Sequence, residues 1–326
     1  MSQMLETTSP QSDTEELRGS KQEDSRLAAT ARDMTIVLPV LNEEEGISAV
    51  IDELLEDGYR NILVIDGYSS DSTVQIARQK GVTVIEQHGR GKTGAIRTAI
   101  ENVRTPYMLI MDGDFTYDAS SIQRFLTHVN GYDEIIGTRS QENISWVHRF
   151  GNHFISRLFN TLFGTGFSDV CSGMYLLNSK SARDLEFRTK GFSVEVEVLA
   201  QMALHGKVTE VPILYRKRIG KPKLSTVVHG FDILKSIFGL ARRYNPVFVF
   251  SVIAGLAAIP GAAIVVWVLW QWVAYGIMHS GWALAGSMLL LFGAQAFLVG
   301  TVALLLKRTE MRMEQLIRGD QGASYV

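Results

Sequence analysis

Asp112 and Asp114 stand one residue apart in "LIMDGDFTYD", where an apolar run ends, and a third acid follows at Asp118. In an extended segment residues two apart face the same side, so both carboxylates can grip one ion. Carboxylate oxygens favour hard cations, Mg²⁺ or Mn²⁺. The competing reading of Asp-Gly-Asp is ordinary turn chemistry. A calcium-binding loop is a poorer fit: counted from Asp112, the sixth position is Tyr117 rather than glycine and the twelfth Gln123 rather than glutamate.

A fourth acid, Asp66 in "VIDGYSSDST", also ends an apolar run. A carboxylate there can accept hydrogen bonds from a base or a ribose. Asp71 reads as a helix cap. "GRGKTGA" imitates the end of a phosphate-binding P-loop, but the required first glycine falls on Glu86. Lys92 then either meets a phosphate as a point charge or is a solvated surface lysine. The histidines at 88, 128, 148, 153, 205 and 229 lack zinc spacing. Ser172 in "CSGMY" sits outside a nucleophile elbow, so serine hydrolysis has no support.

The elements that must position these residues alternate. Between Met34 and Gly137 the runs "MTIVLPVL", "NILVID", "VTVIE", "YMLIMD" and "EIIG" are separated by helical patterns starting near Glu43, Asp71, Lys92 and Ala119. Such alternation predicts an α/β fold with a mostly parallel sheet. Asn42 with Glu45 predicts a capping box, and Asp71 a cap for the next helix. Ligands of such sheets lie beyond the carboxyl ends of the strands, which selects Asn42, Glu43, Asp66, Lys92, Asp112, Asp114 and Arg139. Further on, Trp146, Phe150, Phe154, Leu158 and Leu162 can share a helical face beside Arg149 and Arg157; it suits either a membrane surface or a packed core.

From Pro246 to Leu306 there is no Asp, Glu, Lys or Arg. Roughly 60 such residues suffice for two membrane spans of about 20 or more each. "GIMHSG" breaks the run, and Arg242, Arg243, Lys307, Arg308 and Arg312 flank its outer ends, which predicts a hairpin with the rest of the chain cytoplasmic. The expected organisation is a disordered polar tail over 1–32, an α/β domain over 33–223, an amphipathic interfacial helix over 224–244, two spans within 246–306 and a cytoplasmic tail over 307–326. A lone cysteine, Cys171, fits a reducing compartment, and a formal net charge of −2 argues against a nucleic-acid partner.

Taken in order, "LPVLNEEEGI", "VIDGYSSDST", "MDGDFTYD", "GTR" at 137–139, "DVCSGMY", "FSVEVEV" and "EVPILYRKR" resemble the family 2 glycosyltransferases of the GT-A fold. The likeness is to the dolichyl-phosphate mannose and glucose synthases and runs from about Met34 to Leu224. It implies an inverting, metal-dependent transfer of a hexose from a nucleotide-diphosphate sugar to dolichyl or polyprenyl phosphate. It further implies that Pro39, Glu43 and Asp66 hold the nucleoside, that Asp112, Gly113 and Asp114 hold the diphosphate and its metal, and that Arg139, Arg218 and Lys223 meet phosphates, beside Lys92. Two departures stand out. Thr116 occupies the place of a third metal ligand that is often glutamine, and Pro222-Lys223 replaces a Ser-Lys pair.

A phosphate monoester with second pKa near 6 is already largely dianionic at neutral pH, so such an acceptor needs cations rather than a strong base. Arg139 and Arg149 are the first candidates and Arg157 the third. Glu195 and Glu197 either orient the sugar or, for Glu195, serve structure. The expected partners are the sugar nucleotide, the lipid phosphate and the bilayer, with a homo-oligomer an open option. Rival readings are a membrane-anchored sugar-nucleotide sensor or scaffold, and a transferase using another lipid-linked acceptor. A processive synthase lacks its Gln-x-x-Arg-Trp motif here.

Overall fold

The computed structural model describes residues 31–140, 142–144, 146–187, 194–220, 233–235, 237–239 and 246–323. Lys223, most of the expected interfacial helix over 224–244 and the polar tail over 1–30 lie outside them. The chain divides into two compact units, one formed by residues 1–160 and 165–234, the other by 161–164 and 235–326.

In the first unit, β1 (Met34–Val40), β2 (Ile62–Asp66), β3 (Thr83–Glu86) and β4 (Tyr107–Ile110) run parallel. They alternate with α1 (Ile47–Glu56), α2 (Thr73–Gln79) and α3 (Gly91–Asn102). After a 3₁₀ turn at Ala119–Ser121 come α4 (Ile122–Leu126), β5 (Glu134–Arg139), α5 (Trp146–Phe163), β6 (Tyr175–Asn178), α6 (Ser179–Ala182), α7 (Val194–His205) and β7 (Val208–Ile213). The sheet order is β3-β2-β1-β4-β6-β5-β7. All five expected strands are present, and β6 adds antiparallel pairing to both β4 and β5. The chain steps from β1 outward to β3 and then back across to β4, so the carboxyl edge between β1 and β4 is a topological switch point.

Strand alternation divides the core in two. Ile36, Leu38, Val64, Leu109, Leu176 and Val211 pack with Ile47, Ile51 and Leu54 of α1 and Phe125 of α4. Val37, Ile65, Met108, Ile110 and Leu177 pack with Ile96 and Ala99 of α3 and Val194 and Val198 of α7. Each fully buried Ile, Leu or Phe of these layers contributes about 1.5–3 kcal/mol. Pro39 is tolerated in a central strand: Val37 turns its carbonyl to Met111 N, and Pro39, two residues on, faces the same side where β4 has ended.

The expected capping box does not form. Gly46 is the N-cap of α1, and Asn42 (φ +53°) instead accepts from Ser70 N at 2.7 Å and donates its own N–H to Ser69 Oγ at 2.8 Å. Its side chain thereby staples the loop after β1 to the loop after β2. Asp71 accepts from Thr73 N at 3.0 Å, one position ahead of the N-cap Ser72.

The shared face expected of α5 divides. Trp146, Phe150 and Phe154 are 79%, 72% and 52% exposed, whereas Leu162 is fully buried with Ile155 and Phe159. Successive steps of four residues carry the three aromatics along one stripe, with exposed Arg149, His153 and Arg157 along its flank.

In the second unit α8 (Pro246–Tyr275) and α9 (Ser280–Ala323) are joined at Gly276, whose φ is +69°. Val247–Tyr275 and Ser280–Leu306 are long and apolar enough to cross a membrane, with mean hydropathy of 2.4 and 2.3. The helices meet on small residues. A Cβ on Gly261 would lie 2.9 Å from Gly286 O, one on Gly293 2.8 Å from Ala254 O, and one on Gly300 2.7 Å from Phe250 Cβ. Trp267 stacks on His279 and meets Trp282 edge-on near the turn. Helix α9 continues through much of the expected charged tail, whose Glu, Met, Gln and Arg residues are good helix formers.

Candidate active site

Beyond Ile110 the chain leaves β4 and bends, so Asp112 and Asp114 are held by a turn rather than by an extended strand. The turn is strained, with Phe115 at φ +67°. Gly113 lets it settle on β1, because a Cβ there would lie 2.6 Å from Val40 Cγ1. Gly173 does the same from β6's approach: a Cβ would collide with Asp112 Oδ2, and its N–H donates to Tyr117 Oη at 2.7 Å.

Each of the two acids carries its own cation. Lys92 Nζ lies 2.5 Å from Asp112 Oδ1 and 2.6 Å from Glu195 Oε1, so it is neither solvated nor free. Arg218 Nη1 lies 3.0 Å from Asp114 Oδ2, while its Nη2 donates to both Glu43 oxygens at 2.6 and 2.8 Å. Burial works against the Lys92 ammonium, but Asp112 and Glu195 override it and hold its pKa well above the ordinary value. Burial, and then the charge of Asp112, raise Asp114; Thr116 and Arg218 pull it back.

Thr116 donates its hydroxyl to Asp114 Oδ1 at 2.5 Å, with its N–H at 3.1 Å. It therefore orients the acid and offers a metal only its oxygen lone pairs. Asp118, the third acid of the motif, belongs to the frame: it accepts from Ser120 N at 2.9 Å and pairs with Arg216, which also grips Glu53. The segment after β7 folds back along the turn, with Arg216 N on Thr116 O at 2.7 Å and Ile219 N on Asp114 O at 3.2 Å. That return is what delivers Arg218.

Asp66 is buried at the end of β2, accepting from Tyr68 N and Ser69 N, both at 3.1 Å. Tyr68 is itself held at φ +69°, its hydroxyl donating to Gln87 O at 2.8 Å. Pro39 lies beside Ile65, and Glu43 binds Arg218. Arg139 directs Nε and Nη2 to Asp169, so two of its three nitrogens are committed. Arg149 and Arg157 are exposed on α5, with Arg149 Nη2 3.4 Å from Ile144 O. The edge thus gathers Glu43, Asp66, Lys92, Asp112, Gly113, Asp114, Thr116 and Arg218, while Arg149 and Arg157 are carried by α5. No role was expected of Asp169, Glu53, Tyr117, Gly173 or Arg216, although all but Glu53 lie inside the quoted motifs "DVCSGMY", "MDGDFTYD" and "EVPILYRKR".

The donor set fits a hard divalent ion. In these ion pairs, among the described residues, the four carboxylates Asp112, Asp114, Glu43 and Glu195 meet the two cations Lys92 and Arg218. No cluster of three or more His, Cys, Asp or Glu able to hold a metal exists among the described residues.

The sheet order, the switch-point edge and the acidic turn after β4 define a GT-A-like α/β protein. A family model, glycosyl transferase family 2, matches residues 35–186. Over 294 residues the chain is 33% identical to glycosyltransferase AglJ of Haloferax volcanii, covering 86% of this chain and 97% of that protein. It is 34% identical over 215 residues to a dolichyl-phosphate hexose transferase of the same organism, covering 64% and 93%. A solved structure of glucosyl-3-phosphoglycerate synthase from Mycobacterium tuberculosis, with Mn²⁺, uridine diphosphate and phosphoglyceric acid, matches with a TM-score of 0.56 at 18% identity, over 64% of this chain and 78% of that one. The chain belongs to glycosyltransferase family 2.

Proposed function

We propose that the protein transfers a hexose, mannose or glucose, from a nucleotide-diphosphate sugar to dolichyl or polyprenyl phosphate at the cytoplasmic face of a membrane, for protein glycosylation or envelope glycan assembly. The observation that carries this reading is the aspartate pair at the switch-point edge, in a chain that also carries two membrane-length apolar helices. The relative named dolichyl-phosphate hexose transferase supports the acceptor class, and the neighbour solved with Mn²⁺ and uridine diphosphate supports the donor chemistry.

Asp112 and Asp114 would hold Mg²⁺ or Mn²⁺, which when bound neutralises charge on the departing nucleotide as a Lewis acid. Glu43, Asp66 and Pro39 border the nucleoside end of the edge. Lys92, Arg218 and Lys223 are the cations for the diphosphate. The acceptor phosphate is already the nucleophile in its dianionic form, so the residues it needs are positive. Exposed Arg149 and Arg157, beside the aromatic stripe of α5, suit a phosphate whose chain lies in lipid. Arg139 has one nitrogen beyond its Asp169 pair to offer the same group.

The test is incubation of the purified protein with radiolabelled GDP-mannose, UDP-glucose or UDP-N-acetylglucosamine and polyprenyl phosphate. Labelled lipid should form with one donor, and vanish in excess EDTA or in Asp112→Asn and Asp114→Asn proteins. Full-speed transfer under either condition would refute the metal-dependent reading.

A further inference from the structure

Asp112 and Asp114, the two acids read as the metal's, are each covered by a cation anchored elsewhere. Lys92 projects from the first turn of α3, and its side chain is only 11% exposed. Its ammonium sits between Asp112 and Glu195 at nearly equal distances. Glu195, in the first turn of α7, directs Oε1 at Lys92, while its Oε2 is buried with no hydrogen-bond partner. Arg218 repeats the pattern between Asp114 and Glu43, and its Nε is likewise buried and unpartnered.

We propose that Lys92 is a displaceable latch on Asp112, and that Glu195 is the positioning residue that receives the ammonium when a divalent cation takes the carboxylate. This rests on the reading of Asp112 and Asp114 as the metal acids. The unsatisfied Glu195 oxygen is the feature that makes the handover favourable. In the latched state it is a desolvated acceptor without a donor, and an ammonium has three donors to give. Once released from Asp112, Lys92 turns a second N–H to Glu195 and remains beside the edge where a diphosphate would lie. Without Glu195 the ammonium has Asp112 as its one carboxylate partner, and the divalent ion must compete for that acid against a buried cation with nowhere to go.

The experiment measures Mn²⁺ affinity of the full-length protein by electron paramagnetic resonance, with and without UDP or GDP, in wild type, Lys92→Met, Glu195→Gln and the double variant. Lys92→Met should bind Mn²⁺ about tenfold tighter and Glu195→Gln about tenfold weaker, with the double variant matching Lys92→Met. Lys92→Arg should restore near wild-type affinity. Charge summed at a distance gives another pattern: the two effects would cancel in the double variant, and that result overturns the latch. So does an unchanged affinity in Glu195→Gln. If Lys92→Met fails to fold with Glu195 unpaired, the double variant, which removes that charge, decides: about 100-fold tighter than Glu195→Gln supports the latch, about tenfold overturns it. Wild-type protein that binds no Mn²⁺, with or without nucleotide, overturns the metal reading itself and the latch with it.

Discussion

Arg139 and Asp169 are joined by two hydrogen bonds of 2.7 Å, and the guanidinium lies 5.4 Å from the centre of the Tyr215 ring. The pair locks the last residue of β5 to the approach to β6. Burial opposes the charge on Arg139, but Asp169 overrides it and raises its pKa further. Asp169→Asn would leave a nearly buried guanidinium without its counter-ion. The expected loss is about 3–5 kcal/mol of stability, read from urea unfolding of the residue 1–245 fragment if that fragment folds and otherwise from thermal melts of the full chain. A loss below about 1 kcal/mol would show the pair to be dispensable.

Gly173→Ala tests the geometry of the turn. The added methyl would collide with Asp112 Oδ2 and press on Tyr117 Oη, 3.1 Å away. Displacing a reacting-site group by about 1 Å costs on the order of 100-fold in rate, so transfer should fall by that factor while the far-ultraviolet circular dichroism stays unchanged. An alanine protein with wild-type turnover would mean that the position of Asp112 is not critical.

Glu134 gives a pH signature. Its carboxyl is buried in β5 with Oε2 unpartnered, and burial pushes its pKa well above the ordinary value of 4.5. The folded state therefore keeps a proton that the unfolded state releases, and stability falls as pH rises above the unfolded value until the folded group also ionises. Glu134→Gln removes this slope. The variant should match wild type near pH 4 and gain on it by about 1.4 kcal/mol per pH unit above pH 5, up to the folded pKa. Chemical denaturation at several pH values checks this; a constant gap between the two proteins would contradict it.

Removing Pro246 onward tests the part played by the apolar helices. Confinement to a surface raises the effective concentration of a lipid acceptor and leaves a soluble one unaffected. Transfer to long polyprenyl phosphates should drop more than transfer to short, water-soluble analogues. Equal losses on both acceptors would count against a tethering role.

The strands β1 to β5 were legible because each is an apolar run closed by turn residues, and the strand-end rule then pointed to Asp66, Asp112 and Asp114. Strand β6 has four residues and takes its order from β4 and β5, partners remote in sequence. Strand β7 contains Pro212, which argues against a strand, yet β7 lies at the sheet edge where a missing N–H is tolerated. The frame of the site was hidden for the same reason. Arg216 reaches Glu53 across 163 positions and Arg139 reaches Asp169 across 30, and no local pattern announces such pairs. The face of α5 misled because helical periodicity groups residues by angle and cannot tell which part of a long helix has a neighbour.

Gly286, Gly293 and Gly300 recur every seven residues along α9, each against the backbone or Cβ atoms of α8. A repeat of seven drifts by about 20° per step on a straight helix, so the contact line winds gently left-handed and fixes how the pair crosses. The hairpin thus carries its own folding instructions. Spliced behind an unrelated cargo, the two helices should keep their crossing angle.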